Sequence, residues 1–162
     1  MRYSRRRGLL VVGAAVVTMG AALGACGGKK DVAKPQSEPV LDLGTGAEGT
    51  CLQVDDKLGA EVTKLPVIAC DQPHTHEIYA VVIYTEKDVY PGTAELETFA
   101  QRECLGAFEP YVGISAFDST LFFTWMVPSL DGWNTKKDRD VLCVLGAQDG
   151  RQLTKSMKGS NL

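Results

Sequence analysis

Cys70, His74, His76 and Glu77 fall within eight residues, inside the stretch VIACDQPHTHEIYAVV at 67–82. Thiolate, imidazole and carboxylate are the groups that hold Zn²⁺ or Cu²⁺. The same groups do acid–base work when a substrate and an orienting partner lie within reach. A third reading is structural. Asp71-Gln72-Pro73 bends the chain, and His74 then hydrogen-bonds to backbone or to a neighbouring acid at the entry to a strand.

Geometry decides among these. If residues 74–77 are extended, His74 and His76 share one face and Glu77 takes the opposite one. Cys70 is unavailable as a thiolate if it is oxidised. Two ligands then remain where a structural metal site wants four. The chain carries no GxSxG elbow, no HExxH and no phosphate-binding glycine loop. The expectation is a structural bend, with no catalytic residue, no metal and no cofactor. His74 and His76 are kept as candidate ligand contacts. Trp133, set in the polar turn DGWN, joins them as a candidate exposed contact, with a ring folded over the core edge as the alternative. Phe122, Phe123 and Trp125 read as strand aromatics of the core. Asp138-Arg139-Asp140 reads as a solvated or salt-bridged strand start.

The oxidation state of Cys70 follows from the N-terminus. Arg2, Arg5, Arg6 and Arg7 precede an uncharged run of about 18 residues, Gly8 to Ala25, at the lower edge of membrane-spanning length. Small residues close it directly before Cys26, the pattern of an export signal. Leu23-Gly24-Ala25-Cys26 resembles the lipobox of bacterial lipoproteins, which implies a signal peptide at 1–25 and acylation (palmitate) of Cys26. Acyl chains anchor by about 0.8 kcal/mol per buried methylene. The expected location is the extracytoplasmic face of the cell membrane. Arg6-Arg7 leaves Sec and twin-arginine export both open.

Without residues 1–25 the chain keeps 13 of its 17 basic and all 20 acidic residues, a net charge of −7. Such a chain is not built to bind nucleic acid. Residues 26–48 read as the lipidated cysteine and a flexible tether. Residues 49–162 suffice for one domain with one core.

Four cysteines remain: Cys51, Cys70, Cys104 and Cys143. An even number in an exported domain implies disulfides, and four allow three pairings. The elements narrow the choice. TCLQV (50–54) and LPVIAC (65–70) read as paired strands that set Cys51 opposite Cys70. EIYAVVIYT (77–85) reads as a central strand buried on both faces. Thr93 caps a helix whose buried stripe is Leu96, Phe99, Ala100, Cys104, Ala107, Phe108 and Tyr111, and Pro110 ends it near Glu109. LFFTWMV (121–127) and DVLCVLG (140–146) are further strands. Val141, Cys143 and Leu145 share one face of the latter, so Cys143 meets Cys104 if that face packs on the helix. A last short strand is expected near LTKSM. The fold class is α+β: an antiparallel-dominated sheet with one main helix packed on one face, and two disulfides.

GTC at 49–51, ACDQPHTHEIYAVV at 69–82, YPG at 90–92, Cys104-x3-Phe108 and DRDVLC at 138–143 occur in this order. Together with the lipobox they resemble the septum-formation domain family of actinobacterial lipoproteins and membrane proteins. The resemblance implies an envelope-exposed domain with a role in septum formation and an envelope or cell-wall partner. His74 matches the family pattern and His76 does not. Gly49-Thr50-Cys51-Leu52 departs from the Gly-Asp-Cys-Phe common in the family. The functional expectation is a non-enzymatic, lipid-anchored envelope domain. The alternative is a metal- or small-ligand-binding envelope lipoprotein.

Overall fold

The computed structural model describes residues 40–42, 47–54 and 64–162. The signal peptide and Cys26 lie outside the described residues, as does most of the tether. Six strands and one long helix make up the described fold. They are β1 (Val40–Asp42), β2 (Thr50–Leu52), β3 (Lys64–Ile68), β4 (His76–Ile83), α1 (Thr93–Val112), β5 (Leu121–Met126) and β6 (Asp140–Ala147). A π-helical turn, Gly132–Lys136, joins β5 to β6. The sheet order is β1-β3-β2-β4-β6-β5, and every pairing is antiparallel. The α+β expectation holds. Val40–Asp42, expected as tether, forms an edge strand on β3.

β4 and β6 form the centre of the sheet. Val141, Cys143 and Leu145 of β6 enter the larger core under α1, while Leu142 and Val144 enter a smaller core on the opposite face. β6 is buried on both faces, as period-two alternation of apolar residues on a central strand requires. β4 differs. A register shift between Ile78 and Ala80 leaves Tyr79 as an extra residue, so Tyr79 and Ala80 both pack into the helix-side core. The unbroken apolar run thus reflects a bulge as well as two buried faces. Its far end opens to solvent, with Ile83 61% exposed.

The buried residues of α1 are Leu96, Phe99, Ala100, Cys104, Phe108, Tyr111 and Val112, close to the expected stripe. Both helix ends differ from expectation. The N-cap is Gly92, without a side-chain cap, and Thr93 instead meets the Tyr90 hydroxyl at 3.0 Å. The C-terminus runs past Pro110 to Val112. Pro110 is exposed and forfeits one backbone hydrogen bond, while burial of Tyr111 and Val112 holds the last turn. Gly113 then closes the helix at φ 94°, its N–H donating to Glu109 O at 2.8 Å.

Two disulfides staple these layers, Cys51–Cys70 and Cys104–Cys143, each with Cα atoms 5.3 Å apart. The first ties β2 to the turn after β3. The second ties α1 to β6. Both pairings match the expectation from strand and helix positions. LTKSM does not form a strand. Only Leu153 pairs, in an isolated bridge with His74.

Candidate functional site

The CDQPHTHE stretch divides between two faces of the sheet. β4 begins at His76, so the alternation assumed for 74–77 fails one residue earlier. His74 is held outside the strand by its own bridge, His74 N–H to Leu153 O at 2.9 Å and Leu153 N–H to His74 O at 2.8 Å. Thr75 turns the chain between them. Its hydroxyl oxygen accepts from Val54 N–H at 2.8 Å and lies 3.2 Å from the carbonyls of Leu52 and Val54. The outcome corrects the expected geometry: His74 sides with Glu77, and His76 faces away from both.

His76 lies on the far face. Its ring meets the Phe122 ring edge-on at 5.8 Å, and its Nδ1 is 2.9 Å from the Thr75 hydroxyl. Phe122 in turn covers Gly146, where a Cβ would come within 2.8 Å of the ring.

Glu77 is fully buried beneath α1. A buried carboxylate costs several kcal/mol unless its lone pairs are filled. Three donors fill them. The Tyr111 hydroxyl donates to Oε1 at 2.5 Å, the Ser156 hydroxyl to Oε1 at 2.6 Å, and Met157 N–H to Oε2 at 2.7 Å. Burial, then the bond to Glu77, pushes the Tyr111 hydroxyl pKa well above the ordinary tyrosine range. Tyr79 is shifted the same way by burial, with its hydroxyl donating to Cys104 O at 2.7 Å.

His74 is also fully buried. Its Nδ1 lies 2.7 Å from the carbonyl of Gln72. A carbonyl only accepts, so Nδ1 carries the proton. Nε2 is buried and has no hydrogen-bond partner, one of three such side-chain atoms among the described residues. Cys51 Sγ, a ring nitrogen of His74 and a carboxylate oxygen of Glu77 lie within 4.8 Å of one another. Sequence spacing concealed this grouping, because Cys51 belongs to a different strand and Cys70 was the cysteine in view.

Trp133 is not an exposed contact. It is 1% exposed, so the ring is folded into the core and Trp133 drops out as a candidate ligand contact. The π-helical turn folds the indole inward, and Nε1–H donates to Asp88 O at 3.0 Å. The rings of Tyr84 and Tyr90 approach it edge-on, and the Arg139 guanidinium lies 3.5 Å above it. Arg139 also donates to the carbonyls of Trp133, Asp138 and Asp88, so the arginine of the DRD run is held by the indole and by backbone carbonyls. Burial and the adjacent Asp138 charge raise the Asp140 carboxyl pKa.

No curated protein and no solved structure matches this chain. The septum formation family does match, over residues 38–143. That span takes in all four disulfide cysteines, His74 and Glu77, α1 and the Arg139 stack. It stops before Ser156 and Met157, which complete the Glu77 site. Matching well over half of the chain, with the disulfides and the buried bend inside the matched span, makes this protein a member of the septum formation family.

Proposed function

We propose that the protein is a non-enzymatic domain, held by lipid on Cys26 at the extracytoplasmic face of the cell membrane, that docks an envelope protein during septum formation. Membership of the septum formation family carries this reading. Two further features support it. The disulfides suit an oxidising compartment. In addition, Ile83, Val89 and Leu130 are 61%, 79% and 55% exposed. Val89 and Leu130 follow Asp88 and Ser129, whose carbonyls Trp133 holds through its Nε1–H and its backbone N–H. Ile83 pairs with Asp140, next to the Arg139 that covers Trp133. Apolar side chains raised on a rigid aromatic base suit a protein partner.

Three forms of a fluorescent fusion test the reading. Wild type should sit in the membrane fraction and concentrate at septa. Cys26→Ser should leave the membrane fraction. Val89→Arg with Leu130→Arg should stay on the membrane but spread evenly around the cell. Even distribution of wild type refutes the septal role, and membrane retention of Cys26→Ser refutes the lipid anchor.

A further inference from the structure

His74, Glu77 and Cys51 meet where β2, β4 and the 153–157 segment converge. His74 donates Nδ1–H to a backbone carbonyl and leaves Nε2 buried with an unused lone pair. Ligating histidines are held in this way, the second nitrogen fixed by a carbonyl or carboxylate. The Glu77 carboxylate has about four acceptor positions, and three are filled. The open one is on Oε2. Cys51 Sγ completes a sulfur, nitrogen and oxygen set within 4.8 Å. That set suits Zn²⁺, which accepts three protein ligands and keeps a fourth position for water.

The Cys51–Cys70 disulfide stands in the way, because a disulfide sulfur is not a thiolate ligand. We propose that Cys51, His74 and Glu77 form a redox-gated Zn²⁺ site, opened when a dithiol reduces Cys51–Cys70. Cys70 is half-buried and Cys51 is 1% exposed, so the dithiol's thiolate attacks Cys70 Sγ. The bond between the two sulfurs breaks and Cys51 leaves as thiolate. The second thiolate of the dithiol then attacks the mixed disulfide and releases Cys70. The dithiol ends as a disulfide, having given two electrons. One of its protons stays on Cys70, whose Sγ lies 3.4 Å from the Gly49 carbonyl that accepts the S–H. The other goes to solvent, because Cys51 remains a thiolate on zinc. One thiolate, one carboxylate and a neutral imidazole balance the metal's two charges, so the loaded site is neutral and suited to burial. The sulfurs of Cys104–Cys143 belong to fully buried residues and stay paired.

Cys70→Ser removes the gate and keeps all three ligands. Titrated with Co²⁺ in the absence of reductant, this variant should take up one ion, show thiolate-to-cobalt charge-transfer absorption, and lose it on addition of Zn²⁺. Adding His74→Ala should weaken uptake by more than about 100-fold, beyond the 10- to 100-fold that loss of an outer-shell partner costs. Oxidised wild type should show no such absorption. A folded Cys70→Ser protein without the band overturns the proposal. So does a band that His74→Ala leaves unchanged, or equal zinc affinity in oxidised wild type. If Cys70→Ser does not fold, mildly reduced wild type decides by native mass spectrometry. One zinc on the species with Cys104–Cys143 intact supports the site, and a zinc-free species at saturating metal overturns it.

Discussion

Replacing Glu77 with glutamine keeps the shape of the side chain and removes its charge. The structure specifies what is lost. Three donors converge on the carboxylate at 2.5, 2.6 and 2.7 Å, and all are charge-assisted. An amide turns its oxygen to Met157 N–H, which is backbone and cannot rotate. Its NH₂ then faces the Tyr111 and Ser156 hydroxyls, which must turn from donors to acceptors. Bonds to a charged group contribute about 1.5–3 kcal/mol and neutral ones about 1 kcal/mol. Glu77→Gln should therefore destabilise the domain by about 2–3 kcal/mol. Glu77→Ala, which also leaves a cavity and unpaired donors, should cost about 3–5 kcal/mol. Tyr111→Phe alone should cost about 1.5–3 kcal/mol. Urea unfolding without reductant keeps both disulfides and gives each value at an unchanged m. At about 4–8 °C per kcal/mol, Glu77→Gln should lower Tm by roughly 8–24 °C. The double variant Glu77→Gln/Tyr111→Phe should be less destabilised than the sum of the two by about 1 kcal/mol or more. A Glu77→Gln protein within about 0.5 kcal/mol of wild type, or additivity within that margin, would refute the view that this carboxylate organises the core.

Arg139→Ala should cost about 1–2 kcal/mol through the lost stack on Trp133 and be visible in the near-ultraviolet circular dichroism of the indole. Arg139→Lys should recover only part of it, because an ammonium cannot reach three carbonyls as a planar fork does. Gly146→Ala should destabilise by about 1–3 kcal/mol and disturb the His76–Phe122 pair, read from the imidazole proton resonances. Glu95 accepts from Tyr84 at 2.5 Å and from Lys87 at 2.6 Å. That bond to Glu95 and then burial hold the Tyr84 hydroxyl pKa up to about 12, while Lys87 and then Tyr84 lower that of Glu95. The folded protein keeps the Tyr84 proton after the unfolded chain has released its own. Stability should thus fall from about pH 10 to about 12 as the unfolded state gains from ionising. At the acid end the Glu95 contribution is present above the ordinary carboxylate range and fades as pH drops through and below it. Glu95→Gln should flatten both edges of a plot of Tm against pH.

The elements that were legible from sequence are those whose signals are local. The α1 stripe, the alternation in β6 and the placement of Cys51 and Cys70 on neighbouring strands led to the right fold class and both disulfides. What escaped reading depends on contacts distant in sequence. The face assigned to His74 assumed an extended run through Thr75, whereas Leu153 draws His74 out of register and Thr75 is held by Leu52 and Val54. The donors to Glu77 come from Tyr111, Ser156 and Met157, none visible from the motif around it. Trp133 sits among polar residues, and the rings and carbonyl that enclose it, Tyr84, Tyr90 and Asp88, lie more than 40 residues away in sequence. The Tyr79 bulge left an apolar run that resembles a plain buried strand.

The 153–162 segment does more than cover the sheet. Leu153 fastens His74, Ser156 and Met157 complete Glu77, Gly159 N–H reaches Tyr111 O, and Asn161 N–H reaches Val112 O. Without them, Glu77 would keep only the Tyr111 hydroxyl as a donor beneath α1. The Glu77 site is therefore complete only when the 153–157 segment is docked. The segment is thus a latch on the helix-sheet core: whatever loosens residues 153–161 also strips two of the three donors from the buried Glu77 carboxylate.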